Sequence, residues 1–216
     1  MDLDKQNEEL IKNLISRGAL KTERIIEAFR KVKRHNFVPE KYLHVAYVDA
    51  PLPLEESSRS TISQPYTVAV MVEALQPKEG EKILDVGTGS GWQTCLLSYC
   101  VGEKGKIVTM EINEQIYNFA RKNIEKFNFK NIIQILGDGS KGHKNEAPYD
   151  KIIITAAARK LPENLKKQLK VGGRIVVPIG GTFEQQMIIL DKISENKFKE
   201  RSIGYFIFVP LIEKKN

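Results

Sequence analysis

The stretch of this chain that most limits its fold is a run of nine residues. Ile83-Leu84-Asp85-Val86 is an apolar segment that breaks into Gly87-Thr88-Gly89-Ser90-Gly91, and apolar periodicity resumes over 92–100. A short apolar run ending at glycine reads as a buried strand, and the periodic segment after it reads as a helix. Three alternating glycines between them permit a tight turn and let a ligand lie against bare backbone at the helix N-terminus. The chain must therefore contain a strand–loop–helix unit of a layered α/β sheet.

The same rhythm continues along the chain. Strands are expected over 83–86, 107–110, 132–136, 151–155 and 174–177, with helices over 66–75 and 92–100, another carrying Ile116, Phe119, Ala120, Ile124 and Phe127, and a short one after Pro162. Strands alternating with helices give a parallel sheet covered on both faces. The runs 185–190 and 198–212 lack a helical period and read as an antiparallel pair closing one edge. Upstream, Leu10, Ile11, Leu14 and Ile15 mark one helix face, and Thr22 is placed to cap a second helix bearing Ile25, Ile26, Phe29 and Val32. From Phe37 to Pro65 there are four prolines, the charged run Glu55-Glu56-Ser57-Ser58-Arg59 and no period, so a long loop is expected that serves as a lid or substrate segment. One domain over 1–216 is expected: helices and lid in 1–65, a ligand-binding core in 66–182 and the closing strands in 183–216.

Composition narrows the functional classes. With 41% hydrophobic and 28% charged residues in 216, the chain has the material for a packed core, which excludes a disordered polypeptide. Cys95 and Cys100 stand five apart, which is neither a redox CxxC pair nor a zinc spacing, and His35, His44 and His143 are scattered, so no metal is expected. The opening MDLDKQNEEL is acidic where a leader would be basic and then apolar, and no apolar run nears the roughly 20 residues of a membrane helix. A cytoplasmic protein without membrane contact is expected. The net charge of +7 favours anionic partners in general, or reflects a lysine-rich solvated surface.

The glycine loop departs from the dinucleotide fingerprint, whose third glycine would fall where Trp92 stands. Its G-x-G-x-G pattern resembles the loop of S-adenosylmethionine-dependent methyltransferases. Glu111, 22 residues after Gly89 and at the end of the second strand, is placed to accept both hydroxyls of a ribose, or else to cap a helix. Asp138, in Leu136-Gly137-Asp138-Gly139-Ser140, follows the third strand where such enzymes hold an adenine amino group; the simpler alternative is a turn. NAD remains the competing cofactor. After the fourth strand stands Ala156-Ala157-Ala158-Arg159, with no Asn/Asp-Pro-Pro-Tyr-like sequence to orient a nitrogen and no general base. That composition suits a substrate already anionic, since a carboxylate oxygen needs no deprotonation at neutral pH.

Beyond the loop, Arg34-His35-Asn36-Phe37-Val38-Pro39, Thr61-Ile62-Ser63-Gln64-Pro65, Gly137-Asp138-Gly139 with Ala147-Pro148-Tyr149-Asp150, Ala156-Ala157-Ala158, Gln168-Leu169-Lys170-Val171-Gly172-Gly173-Arg174, Pro178-Ile179-Gly180 and Phe208-Val209-Pro210-Leu211 together resemble the protein-L-isoaspartate O-methyltransferases over nearly the whole chain. The resemblance implies a doubly wound, Rossmann-like methyltransferase sheet, mostly parallel with an antiparallel C-terminal edge. It implies methyl esterification of the free α-carboxylate of isoaspartyl residues in damaged peptides and proteins, with S-adenosyl-L-methionine as methyl donor. It also implies site residues: Ser63 aiming the carboxylate, a cofactor lining of Thr61, Ile62, Asp85, Gly87, Gly89, Gly91, Glu111, Asp138 and Gly139, and substrate main-chain contacts from Val209, Pro210 and Leu211.

The residues leave alternatives for several of these. Ser63 before Gln64-Pro65-Tyr66 is a candidate helix N-cap. Residues 207–211 are an apolar edge strand blunted by Pro210 and Lys214-Lys215, or a strand edge open to an extended peptide. Tyr66 and Trp92 are pocket aromatics or core. The chain also departs from the family's usual residues: Gln64 and Tyr66 stand where alanine and histidine are common, and Arg159 where proline is. A tRNA methyltransferase and a cofactor-binding scaffold without catalysis are the competing functions; the first needs an RNA-recognition domain that 216 residues leave little room for. A monomer is expected.

Overall fold

The computed structural model describes residues 2–55 and 60–214. Its frame is a seven-stranded sheet: β3 (Lys82–Val86), β4 (Lys106–Glu111), β5 (Ile132–Leu136), β6 (Tyr149–Ile154), β7 (Leu169–Gly180), β8 (Gln185–Ser194) and β9 (Lys197–Phe206), in spatial order β5-β4-β3-β6-β7-β8-β9. The first five of these are mutually parallel; β8 runs antiparallel to both β7 and β9. The chain builds outward from β3 to β5, then returns to lay β6 on the other side of β3. Strand order reverses there, and such a switch opens a crevice at the carboxyl ends of the two strands.

Strand composition explains the layering. Ile83, Ile107, Ile153 and Val176 face one core, while Leu84, Val108, Ile152, Ile154, Ile175 and Val177 face the other, and all are sealed from solvent. Side chains alternate across a strand, so only continuous apolar runs can fill both faces. The first face is covered by α1 (Leu3–Ser16), α2 (Glu23–Lys31), α3 (Pro65–Leu75), α4 (Trp92–Val101) and α5 (Glu114–Glu125), which pack into a single core with it; α6 (Glu163–Gln168) covers part of the other. Truncating one of these strand residues to alanine should cost about 2–5 kcal/mol.

Four expectations are corrected. The stretch 37–65 is not a featureless loop: 3₁₀ turns occupy Arg34–Phe37 and Glu40–Val45, and β1 (Leu52–Pro53) pairs antiparallel with β2 (Thr61–Ile62). Residues 56–59 of its charged run, and Lys215 of the tail, lie outside the described residues. The final strand ends at Phe206, and residues 207–214 cross the end of the sheet as a strap joined to it by a bridge between Ala157 and Pro210. Thr22 does precede α2, but its side chain caps nothing there; Glu73 of α3 accepts from Lys21 N–H, Thr22 N–H and the Thr22 hydroxyl at 2.7–2.8 Å. Ser63 is not the cap of α3 either. Gln64 holds that position, and the Tyr66 N–H donates to Asp49 Oδ1 at 2.8 Å. At α3 a distant carboxylate does the work of a local hydroxyl; at α2, Glu73 instead ties down the residues that precede the helix and engages the Thr22 hydroxyl.

Candidate active site

The glycine loop leaves β3 at the switch point. Gly87, Gly89 and Gly91 have φ of +96°, +54° and +85°, the left-handed region that favours glycine. A Cβ on Gly87 would stand 2.5 Å from Thr155 Oγ1, and that hydroxyl is held in place by donating to Val86 and Gly87 carbonyls at 3.1 and 2.9 Å. On the next strands, a Cβ at Gly139 would meet Val86 Cγ1 at 2.5 Å. At Gly87 and Gly139 the packing leaves no room for a side chain, whereas at Gly89, where a Cβ would make only ordinary contacts, the left-handed φ is what favours glycine.

Loop donors are already engaged. Gly87 and Thr88 N–H donate to Met110 O, Gly91 N–H to Thr88 O, and Gly89 N–H to Glu111 Oε2 at 3.1 Å. A pyrophosphate needs free N–H groups and repels a carboxylate, so this loop is poorly built for a dinucleotide. It suits a ligand that is cationic at its reacting end and offers hydroxyl and amino donors elsewhere.

Glu111 is buried at the end of β4. Its Oε1 accepts from Ile112 and Asn113 N–H, while α5 is capped separately by Asn113 Oδ1, which accepts from Gln115 and Ile116 N–H. Glu111 is therefore a brace between strand and loop, and the helix-cap alternative for it is excluded. Asp138, after β5, forms the turn anticipated for it: Oδ1 accepts from Ser140 N–H and hydroxyl, and Oδ2 accepts from the strap at Lys214 N–H, 2.9 Å. Burial alone would raise its pKa, but the donors from Ser140 and Lys214 outweigh burial and hold it below the ordinary value. A cleft of about 260 Å³ opens beside it, lined by Ser140, Lys141, Lys160 and Lys214.

Two expected lining residues, Asp85 and Ile62, have buried side chains turned away from the crevice, and of the two alternatives for Trp92 the structure shows core. Asp85 is fully enclosed behind the loop; Oδ2 accepts from Thr94 and Thr109 hydroxyls at 2.6 and 3.1 Å and Oδ1 from Gln93 at 3.2 Å. Because the Thr109 hydroxyl also meets the Thr88 hydroxyl at 2.7 Å, Asp85 reaches the loop only through threonines. Burial pushes its pKa up to about 6, beyond what those donors offset. Ile62 is 2% exposed, its side chain turned into the core, so only its main chain is near the site. Trp92 is core as well: its indole N–H donates to Val32 O at 2.9 Å and its ring lies edge-on to Phe29.

The structure does bring the Thr61–Ser63 segment to the loop. Thr61 O lies 3.7 Å from the position of a Cβ on Gly89. With the cap of α3 supplied by Asp49, the Ser63 hydroxyl has no partner among the described residues, and its carbonyl is held by Arg34 Nη2 at 3.1 Å. Tyr66 lies under the Arg17 guanidinium, 4.2 Å from ring centroid to Cζ, and Arg17 pairs with Asp49 Oδ2 at 2.6 Å. Across the crevice, Ala157 N–H donates to Val209 O and Leu211 N–H to Ala157 O, both at 2.8 Å. One side of the strap at 209–211 is thus taken by Ala157.

Sequence reasoning missed Arg34, Asp49 and Thr155. Arg34 sits in the basic run Arg30-Lys31-Val32-Lys33-Arg34, where nothing separates it from surface cations, and the partners of the other two are distant in sequence.

Nearly the whole chain matches one family model. That model, the protein-L-isoaspartate(D-aspartate) O-methyltransferase family, covers residues 5–216. The chain belongs to this family. It is 41% identical to the protein-L-isoaspartate O-methyltransferase of Methanopyrus kandleri, over 95% of this chain and 90% of that one, and 41% identical to that of Ignicoccus hospitalis, over 99% and 100%. A solved protein-L-isoaspartate O-methyltransferase superposes with a TM-score of 0.86 at 30% identity, over 94% of this chain and 65% of that chain. A Plasmodium falciparum structure named for the same activity, solved with S-adenosyl-L-homocysteine, shares the fold with a TM-score of 0.83 at 22% identity, over 96% and 99%. Methyltransferase-family membership agrees with the engaged loop donors, which already argued against NAD.

Proposed function

We propose that this protein-L-isoaspartate O-methyltransferase family member transfers a methyl group from S-adenosyl-L-methionine to the free α-carboxylate of isoaspartyl residues in peptides and proteins, the neighbouring amide nitrogen then displacing methanol from the ester to close a succinimide as repair begins. The observation that carries the reading is that the segment holding Ser63, whose hydroxyl has no partner among the described residues, lies beside the glycine loop, with Thr61 O 3.7 Å from the position of a Cβ on Gly89. S-Adenosyl-L-methionine supplies an electrophilic methyl on a sulfonium and leaves as a neutral thioether when the carboxylate oxygen takes that methyl.

The residues fit such a ligand. Glu111 Oε2 at the loop and Asp138 at the end of β5 are acceptors for ribose hydroxyls and an adenine amino group, Gly87, Gly89, Gly91 and Gly139 keep the floor open, and Asp85 sets the loop from behind. The Ser63 hydroxyl donates to the substrate carboxylate and aims its oxygen. No proton needs to be removed, so positioning and exclusion of water supply the acceleration. At the strap, residue 210 lies between two bonded neighbours and turns its carbonyl the opposite way, which offers an acceptor to an extended peptide from Val209-Pro210-Leu211.

The substrate is polypeptide, drawn by the cationic surplus, with neither nucleic acid nor membrane as partner. Among the described residues no helix is long and apolar enough to cross a membrane. Cys95 and Cys100 are buried free thiols, the state favoured in a reducing compartment, which supports a cytoplasmic location. The test is transfer of labelled methyl to an isoaspartyl peptide and its aspartyl counterpart. Only the first should be labelled; equal labelling, or labelling of tRNA instead, refutes the reading. Ser63→Ala should lower kcat about 10-fold to 100-fold with unchanged cofactor affinity.

A further inference from the structure

Arg34 is sealed from solvent, yet among the described residues no carboxylate pairs with it. Burial lowers its pKa to about 10, which leaves it charged at neutral pH. Asp49 favours its charge from outside ion-pair distance, and a buried guanidinium with no carboxylate in contact is costly where apolar atoms would fill the same volume at no such cost. Its Nε has no hydrogen-bond partner, so the group is not arranged to satisfy itself.

It is arranged around other chain segments. Nη1 donates to Ala46 O at 2.5 Å with Val48 O at 3.5 Å, and Nη2 donates to Ala50 O at 3.0 Å and Ser63 O at 3.1 Å, with Ile62 O at 3.5 Å. Residues 46–50 lead into the β1–β2 hairpin and residues 62–63 leave it, so one planar fork grips both feet of the hairpin. The clamped stretch includes Asp49, which anchors the start of α3 just beyond Ser63. The guanidinium Cζ also lies 5.5 Å from the ring of Trp92, the first helical residue after the glycine loop. Ser63 is therefore fixed on both sides by segments that converge on Arg34, and Arg34 rests on the end of the cofactor loop.

We propose that Arg34 is a positioning residue for methyl transfer: its fork sets the Ser63 main chain against the glycine loop and thereby aims the Ser63 hydroxyl. This rests on the reading of Ser63 as the group that orients the carboxylate. Lysine offers one ammonium without a planar fork and cannot hold both hairpin feet at once, so the arginine is required by geometry and not by charge.

The experiment is a double-mutant cycle in the full-length protein with Arg34→Lys, Arg34→Gln and Ser63→Ala, reading kcat and KM for an isoaspartyl peptide, calorimetric affinity for S-adenosyl-L-homocysteine, and thermal midpoint. The Arg34 variants should lose about 10²-fold in kcat, the scale expected of an ångström of misplacement, while cofactor affinity holds. In the Ser63→Ala background the Arg34→Lys loss should vanish. Additive losses, cofactor affinity falling in step with kcat, or failure of both Arg34 variants to fold each overturn the proposal. A Ser63→Ala enzyme with undiminished turnover overturns the route through Ser63. Failure of the activity itself is distinguishable, because the wild type would then leave the isoaspartyl peptide unmethylated.

Discussion

The two walls of the crevice are held by different kinds of bond. On the wall proposed for the cofactor, the glycine loop hangs from the parallel strands mainly by main-chain bonds, Gly87 and Thr88 to Met110 and Gly91 to Thr88, with Glu111 accepting from Gly89 and the Thr155 hydroxyl donating to Gly87 as side-chain additions. On the peptide wall, residues 34–66 carry two-residue strands and 3₁₀ turns, and side chains do the holding: Arg34 on Ser63 and Ala50, Asp49 on Tyr66, Arg17 on Asp49. A main-chain ladder forms cooperatively with the sheet it belongs to. Side-chain struts can be removed one at a time, so changes on the peptide wall should alter function with the sheet intact.

That contrast can be broken most severely at Gly87. Gly87→Ala forces both a left-handed φ and a 2.5 Å contact with Thr155 Oγ1, and should cost about 3 kcal/mol and abolish binding of S-adenosyl-L-homocysteine in calorimetry. Retained affinity would show that the loop is more yielding than its ladder suggests. Next is Asp85→Asn, behind the same wall. Burial raises the Asp85 pKa from 3.8 to about 6, so the folded protein keeps a proton that the unfolded chain releases within that window. By linkage, the Asp85 contribution to stability is fully present below the unfolded pKa and is lost as pH rises through the folded one, a change on the order of 2–3 kcal/mol. The stability difference between wild type and Asp85→Asn should therefore decline from pH 4 to 6 and be flat above 7 in thermal melts.

On the peptide wall the effects should be smaller and more selective. Asp49→Ala removes the acceptor for the first turn of α3 and should cost about 1 kcal/mol, with a raised peptide KM and unchanged cofactor affinity. Arg17→Ala removes a half-exposed ion pair and the contact over Tyr66, about 0.5 kcal/mol after solvent screening, with a shift in peptide KM only. If either variant weakens cofactor binding as much as peptide binding, the two walls are not independent.

The cofactor wall was also the legible one. The run 83–86 and the glycines after it specify strand and turn through local forces, apolar alternation and the left-handed φ that glycine tolerates, and the carboxylates at strand ends follow from where the strands stop. Asp85 was misread because its place in the motif does not tell which way a carboxylate turns; the alternation of β3 points it at Thr94 and Thr109, behind the loop. Ser63 and Thr22 looked like caps for a related reason. Local capping is judged from neighbours, whereas Asp49 takes the Tyr66 N–H and Glu73 takes the Thr22 hydroxyl itself, both from elements remote in sequence.

The sequence by itself determined the α/β layering and the switch-point loop, because apolar periodicity and glycine conformation are written within short stretches, and its motifs together carried the resemblance to the family. Only the tertiary structure decided how Ser63 is left free, which carboxylates face the crevice, and why an arginine is buried beneath the hairpin. Those outcomes depend on directions and competing partners across the fold, and a linear chain does not encode either until its segments meet.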